Sequence, residues 1–255
     1  MKSKTLDIEA EIEVLPFEEI GRTIGNHMKI DIYYPIFKFE NQLNDVFLSH
    51  KTKEFLKSED KTEIGINFKF PCLQIGRLSV NDKFELTEGS RAFITGRITK
   101  IFKTIMDKSS WESNLSKSIE ELENDVWNNQ ESYETTLIEN CYILRKEQIS
   151  NLTNEQLRLS INQEVGIQYT IPIAIQKLIQ NKFIECDFYP GDLLQVVFRK
   201  LKVNWNESEF LKNDFTAMIR HRFSEIKTNS EMPEKIKREI FDNLTNYINT
   251  RDNKR

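Results

Sequence analysis

Apolar and polar residues alternate along much of the first hundred residues. From Leu6 to Val14 every second residue is apolar and the residues between are acidic. The same alternation returns in three later stretches: Ile64–Phe70, Phe84–Leu86 and Ala92–Ile98. A period of two places the apolar side chains on one face of a β-strand. Short strands of this kind separated by turns predict an all-β barrel or sandwich over residues 1–106, interrupted at Leu48–Asp60 by a short helix or a long loop.

After Lys108 the apolar residues recur at intervals of three and four, which predicts helices. Ser118–Glu121 and Thr153–Gln156 both read as capping boxes, in which a hydroxyl and a carboxylate or amide three residues later bond each other's backbone N–H. The first predicts a short helix to about Asp125. The expected fold class is therefore α+β in two domains, an all-β barrel at 1–106 and an all-α domain at 117–255, joined by a polar linker at 107–116.

Further helix boundaries follow from turn and cap residues. Gly166 and Pro172 predict two consecutive helices with a break or kink between them. Asp187–Asp192 reads as a turn, with Asp192 as the N-cap of a helix over Leu193–Lys200. A set of apolar residues from Phe210 to Ile226 predicts one long helix, and Pro233 is expected to begin the last one.

The composition excludes several classes of protein. Apolar residues make up 38% and charged residues 30%, and no run of 18 apolar residues is present, so no membrane span is expected. The stretch Met1–Glu11 lacks the apolar core of a secretory signal, so the expected location is the cytoplasm. The three cysteines (Cys72, Cys141 and Cys186) and the three histidines are scattered, which predicts no metal site, no disulfide framework and no cofactor.

The net charge of −4 is unevenly distributed. Residues 1–108 carry 17 basic and 17 acidic side chains, whereas Ser109–Glu139 carries eight acids and one lysine. Such a segment repels nucleic acid and favours a basic protein partner, mainly through the association rate. The alternative interpretation is a solvated acidic helix with its loop.

The β-rich half resembles the third domain of elongation factor Tu over roughly residues 5–103. Five motifs carry the resemblance: Glu11–Pro16, Phe68–Pro71, Phe84–Leu86, Glu88–Arg91 and Thr95–Ile101. Ile94 stands where the family commonly has a glycine. In the elongation factor this barrel contacts tRNA and the GTPase domain, but the chain lacks the GxxxxGK[ST] phosphate loop of a GTPase and the barrel offers no basic stripe.

The helical half resembles the immunity proteins of contact-dependent growth inhibition systems over about residues 117–206. The motifs appear in order along the chain: Ser118–Glu123, Asp125–Trp127, Leu144–Lys146, Leu152–Thr153, Leu157–Leu159, Gln163, Gly166, Asp187–Asp192 and Trp205. Asn162 replaces a common glycine, and the extension from Glu207 is longer than the family leads one to expect. The resemblance implies a protein that binds the C-terminal domain of a cognate toxin; many such toxins are nucleases.

Six residues are candidate toxin contacts: Glu120, Glu121, Glu123, Asp125, Asp187 and Tyr189. The first four are half of the eight acids in the acidic segment, and the last two combine a carboxylate with an aromatic ring, a common pairing at interfaces. Asp187 and Asp192 could also be read as an acid–base pair, but no nucleophile or histidine lies near them in sequence. No catalytic residue is assigned and no enzymatic activity is expected.

Two functions from different classes remain open at this point. The leading hypothesis is an immunity protein that neutralises its toxin by stoichiometric occlusion. In the alternative, the barrel is the working part of a translation-associated or protein-recruiting adaptor, and the helical half serves docking. The sequence leaves the oligomeric state undetermined.

Overall fold

A computed structural model describes residues 6–16, 18, 28–30, 33–200, 211, 215–217, 219–220 and 223–252. The chain forms two compact units, Met1–Trp111 and Glu112–Arg255. The first unit contains all the described strands and the second is helical, so the predicted fold class is confirmed. The role of residues 107–116 as a linker stays a prediction.

Six strands of the first unit close into a barrel. The described strands are β1 (Ile8–Val14), β2 (Met28–Lys29), β3 (Ile36–Phe39), β4 (Gln42–Ser49), β5 (Phe55–Leu56), β6 (Lys61–Phe68), β7 (Lys83–Glu88) and β8 (Arg91–Ile101). The barrel order is β1-β6-β4-β3-β7-β8, and β2 pairs with β5 in a separate ribbon. Every pairing is antiparallel, and β1 closes the barrel by pairing with both β6 and β8.

The barrel interior is filled by the apolar residues of the alternating pattern. Ile8, Ala10, Ile12 and Val14 of β1 are all buried, while Glu11 and Glu13 face outward. The ring of Phe37 stacks on Phe84 with centroids 4.6 Å apart. Gly96 lies opposite Phe84, and a Cβ there would come within 2.4 Å of the phenyl ring. Because Gly96 of β8 has no side chain, the Phe84 ring of β7 has room to pack against it.

The strand prediction is confirmed for β1, β6, β7 and β8. Glu88 and Arg91 flank the expected turn, and Gly89 has a φ of +58°, a conformation that glycine adopts without steric cost. The expectation for Leu48–Asp60 is wrong in part, because this segment contains the end of β4 and the short strand β5 and no helix. The hairpin of β3 and β4 was not predicted. The likeness to elongation factor Tu stays a prediction, with which a closed six-stranded barrel is compatible.

Eight α-helices are described after the barrel strands: α1 (Lys108–Leu115), α2 (Ile119–Glu123), α3 (Thr136–Lys146), α4 (Asn154–Gln163), α5 (Ile167–Gln180), α6 (Asp192–Lys200), α7 (Phe223–Thr228) and α8 (Glu234–Asp252). Short 3-10 turns also occur, at Pro71–Gln74, Thr104–Met106 and Ile149–Asn151. The core of the helical unit is made by the apolar faces of α4, α5 and α6, which pack on one another.

Both predicted capping boxes are present. Ser118 and Glu121 close the first at α2, and Thr153 and Gln156 close the second at α4. The predicted break between two helices lies at Glu164–Gly166, where Glu164 and Gly166 both have positive φ. Pro172 sits inside α5, which continues past it to Gln180.

Other helix predictions are met only in part. The last helix begins at Glu234, directly after Pro233, as expected. The long helix expected over 210–226 is described only in pieces: residues 211, 215–217 and 219–220 are helical, and α7 is its described end. Leu211, Phe215, Ile219 and Ile226 are buried, as the apolar pattern requires.

Candidate functional site

A buried arginine lies among the predicted acidic contacts. The Arg145 side chain is 3% exposed, and its Nη1 lies 2.6 Å from Glu123 Oε2. Its Nη2 donates to the Asp125 backbone oxygen at 2.7 Å and lies 3.2 Å from Asp125 Oδ2. The guanidinium also stacks over the Trp127 ring at 4.3 Å. Arg145 therefore neutralises part of the charge of Glu123 and Asp125 and fixes the chain that follows α2.

The other two acids of the predicted set have structural partners as well. Glu120 is 8% exposed, and its Oε1 accepts a hydrogen bond from the Trp127 backbone N–H at 2.9 Å. Glu121 Oε2 accepts from the Ser118 backbone N–H at 2.7 Å. That hydrogen bond holds the pKa of Glu121 below its ordinary value. Whether any of the four contacts a partner protein stays a prediction.

The Asp187–Asp192 turn is organised by one buried carboxylate. Asp192 is 2% exposed and accepts hydrogen bonds from three consecutive backbone N–H groups, those of Cys186 at 2.9 Å, Asp187 at 3.0 Å and Phe188 at 3.2 Å. The expectation that Asp192 caps its own helix is wrong. Helix α6 begins at Asp192, and the carboxylate instead accepts bonds from the preceding loop.

Arg158 of α4 holds the outer side of this turn. Its Nη2 lies 2.7 Å from Asp187 Oδ2, and its guanidinium stacks on Phe188 at 4.4 Å. Phe188 is 64% exposed, so the turn presents an aromatic ring to solvent in a fixed orientation. Sequence reasoning selected the neighbouring Asp187 and Tyr189 and passed over Phe188, although both an arginine and an exposed aromatic are typical interface anchors.

Tyr189 faces the other side of the turn. Its hydroxyl donates to Gln195 Oε1 at 2.5 Å, and Gln195 in turn donates to Glu239. Burial, with Asp192 and Glu239 nearby, raises the pKa of Tyr189. Tyr189, Gln195 and Glu239, together with Arg158 and Arg199, help to line a depression of about 430 Å³. Arg199 is paired with Glu239 at 2.7 Å, and the lining also includes Lys235 and Arg158.

A wide depression of about 1190 Å³ lies on the outer face of the barrel. Its wall is lined by paired charges: Lys61 with Glu13, Arg97 with Glu11, and Lys38 with Glu85, at 2.8 to 3.0 Å. The opposite charges alternate across neighbouring strands and offset one another. The barrel face therefore offers no strong field for either sign of ligand.

Cys186 lies directly before the Asp187–Asp192 turn. Burial and the adjacent Asp192 raise the pKa of the Cys186 thiol, which makes it a poor nucleophile. Within the described ranges, no three His, Cys, Asp or Glu side chains are grouped as metal ligands would be. Nor does any described helix combine the length and apolarity needed to span a membrane.

One family of known proteins matches the part of the chain that contains Arg145 and the Asp187–Asp192 turn. Residues 121–228 match the CDI immunity protein family. The match confirms the resemblance suggested by the sequence motifs and covers less than half of the chain. It includes α3, Arg145, Arg158 and the Asp187–Asp192 turn, and leaves the barrel outside.

A second known protein is similar to a larger share of this chain. A protein of Schizosaccharomyces pombe (strain 972 / ATCC 24843), "Helicase required for RNAi-mediated heterochromatin assembly 1", is 24% identical over 231 residues. The aligned region covers 82% of this chain but only 23% of the helicase. The chain thus spans about a quarter of the length of that protein.

Proposed function

We propose that this chain is an immunity protein that binds and neutralises the toxin domain of a contact-dependent growth inhibition or related polymorphic toxin system. The match of residues 121–228 to the CDI immunity family carries the proposal. The protein would act in the cytoplasm of the cell it protects, on the C-terminal domain of a cognate secreted toxin.

The mechanism we propose is stoichiometric occlusion without turnover. Asp192 and Arg145 hold their neighbouring loops by several hydrogen bonds each, so the surfaces above them are rigid before any partner arrives. Rigidity of this kind reduces the conformational entropy lost on binding and so favours a tight, inert complex.

The six residues selected from the sequence remain candidate contacts, and they differ in exposure. Asp187 is exposed at the rim of the Phe188 turn, where Tyr189 is half-buried. Glu121 is exposed within α2, and Asp125 is exposed just after it. Glu120 is buried and Glu123 is half-buried against Arg145. Reversing Glu120, Glu121, Glu123 and Asp125 together would therefore disturb the Arg145 site as well as any interface, and the Phe188 turn is the cleaner place for mutation.

The test is rescue of growth. The C-terminal domain of a large secreted protein encoded directly upstream of the gene for this chain is expressed in bacteria with and without the full chain. We expect growth arrest by the toxin domain alone, recovery with the chain, and a one-to-one complex by titration calorimetry. Continued arrest together with no heat of binding would overturn the proposal.

A further inference from the structure

Three aromatic rings form a shelf at the connection between α2 and α3. The ring centroids of Trp127 and Tyr142 lie 4.9 Å apart, and those of Tyr133 and Tyr142 also lie 4.9 Å apart. Gln130 Nε2 donates to the Tyr142 hydroxyl at 2.9 Å. These contacts fasten the loop 127–133 to one face of α3, and Arg145 stacks on Trp127. We call Trp127, Tyr133 and Tyr142 the aromatic shelf.

Apolar side chains around the shelf are exposed. Ile143, next to Tyr142 in α3, is 52% exposed, and Val126, next to Trp127, is 68% exposed. Exposed apolar groups beside aromatic rings are typical of protein-binding surfaces.

Three exposed carboxylates lie close to these rings in the sequence. Glu131 and Glu134 flank Tyr133 in the sequence, and Glu139 lies one turn before Ile143 on the same face of α3. None of the three forms an ion pair with a residue that the structure describes, in contrast to Glu123 and Asp125. Lys146 is the exposed cation at the far end of this face, and its Nζ donates to Asn129.

We propose that the aromatic shelf, with Ile143 and the carboxylates Glu131, Glu134 and Glu139, is the surface that binds the toxin domain. The inference rests on the proposed function and names the chemistry of the partner face: basic side chains around an apolar centre. The negative charge of this surface favours the toxin domain over two other possible partners, nucleic acid and a second copy of this chain. Nucleic acid would be repelled. A second copy of this chain in a two-fold contact would bring like carboxylates together.

The test compares two triple variants that change the net charge equally. One is Glu131→Lys with Glu134→Lys and Glu139→Lys. The matched control is Glu185→Lys with Glu231→Lys and Asp242→Lys, three exposed acids elsewhere in the helical unit. Association with the toxin domain is measured by stopped-flow fluorescence at low and at high ionic strength. Circular dichroism and thermal unfolding establish that both variants are folded.

At low salt we expect the shelf variant to associate at least about tenfold more slowly than the wild type, with a smaller difference at high salt. The control should stay within about twofold of the wild type. A shelf variant as fast as the wild type, or a control equally slow, would overturn the inference while leaving the proposed function intact. A wild-type chain that fails to bind the toxin domain would instead overturn the proposed function.

Ile143→Ser provides a second, neutral test that does not depend on charge. Its side chain is half-exposed, so folding is expected to persist. If Ile143 lies at the centre of the interface, its loss raises the dissociation rate several-fold. A dissociation rate equal to that of the wild type would also count against the shelf.

Discussion

At the residue scale, the acidic segment shows how far composition alone can lead. The sequence identifies Glu120, Glu121, Glu123 and Asp125 as a block of negative charge, and it contains no signal that Arg145, twenty residues later, folds back among them. That pairing is set by the packing of α3 against α2, which is a tertiary contact. A block of charge in sequence is therefore a weak predictor of a charged surface.

We expect Arg145→Met to lower the free energy of unfolding by about 1–3 kcal/mol, because the charged hydrogen bonds to Glu123 and Asp125 are lost. The loss stays below that of a fully buried ion pair, since Asp125 remains open to water. Urea denaturation measures the change. Lys146→Met, at the exposed neighbouring position, is the control and should alter stability by less than about 0.5 kcal/mol. Equal effects of the two substitutions would contradict this account.

His50 gives the barrel a dependence on pH. Its Nδ1 accepts hydrogen bonds from the backbone N–H groups of Thr52 at 3.0 Å and Lys53 at 2.8 Å, so Nε2 carries the proton and donates to Thr62 Oγ1. Protonation of Nδ1 removes that acceptor. Burial, followed by the charge of Lys53, lowers the pKa of His50 from its ordinary value of 6.5, although Asp60 and Glu63 act in the opposite direction.

Because the pKa is lower in the folded than in the unfolded state, the unfolded chain takes up the proton first as the pH falls. The stabilising contribution of neutral His50 is therefore complete above about pH 6.5 and decreases as the pH falls through the folded-state value. Urea midpoints between pH 7.5 and 5 should fall for the wild type and fall less for His50→Gln. Parallel curves for the two proteins would rule out this role of His50.

At the element scale, local sequence signals predict where most of the helices and strands begin. Capping boxes at Ser118 and Thr153 and the glycine turn before Arg91 are made by residues adjacent in sequence, so the pattern and the structure agree. Helix α3 and the β3–β4 hairpin were missed. The hydrophobic pattern of α3 is weakened by Leu137 and Ile143, which are apolar but exposed.

Gly166 lies at the break between α4 and α5, which the sequence predicted. Its φ is +59°, and a Cβ there would lie 2.8 Å from Ile119 Cδ1 of α2. Gly166→Ala should therefore lower the free energy of unfolding by about 1–3 kcal/mol through backbone strain and packing. Gly89→Ala is a matched control, with a φ of +58° and nothing within 4 Å of the added methyl group. Chemical denaturation of both should show the larger loss at Gly166; a larger loss at Gly89 would contradict the packing argument.

At the scale of the whole molecule, the change of period near residue 108 predicted the change from strands to helices, because each period needs its own kind of core. The family match falls in the helical unit. The position of the candidate surfaces within that unit was only partly predictable, since Arg145, Arg158 and Phe188 act through contacts between distant residues.

The helical unit alone should therefore carry the binding activity. We expect residues 112–255, expressed by themselves, to capture the toxin domain with an affinity within about tenfold of that of the full chain, whereas residues 1–111 do not. Pull-down followed by calorimetry measures both. Capture by the barrel unit alone would favour the adaptor hypothesis instead.

The position of β1 between β6 and β8 has a consequence during synthesis. Ile8 pairs with Ile101, so the ring of strands cannot close until the ribosome has released nearly the whole first unit. Until then, the edge of β1 that pairs with β8 stays open to other chains, even after β6 has covered the other edge. Translation speed over the first hundred codons, and chaperones that cover emerging strands, should therefore govern how much of this protein accumulates in active form.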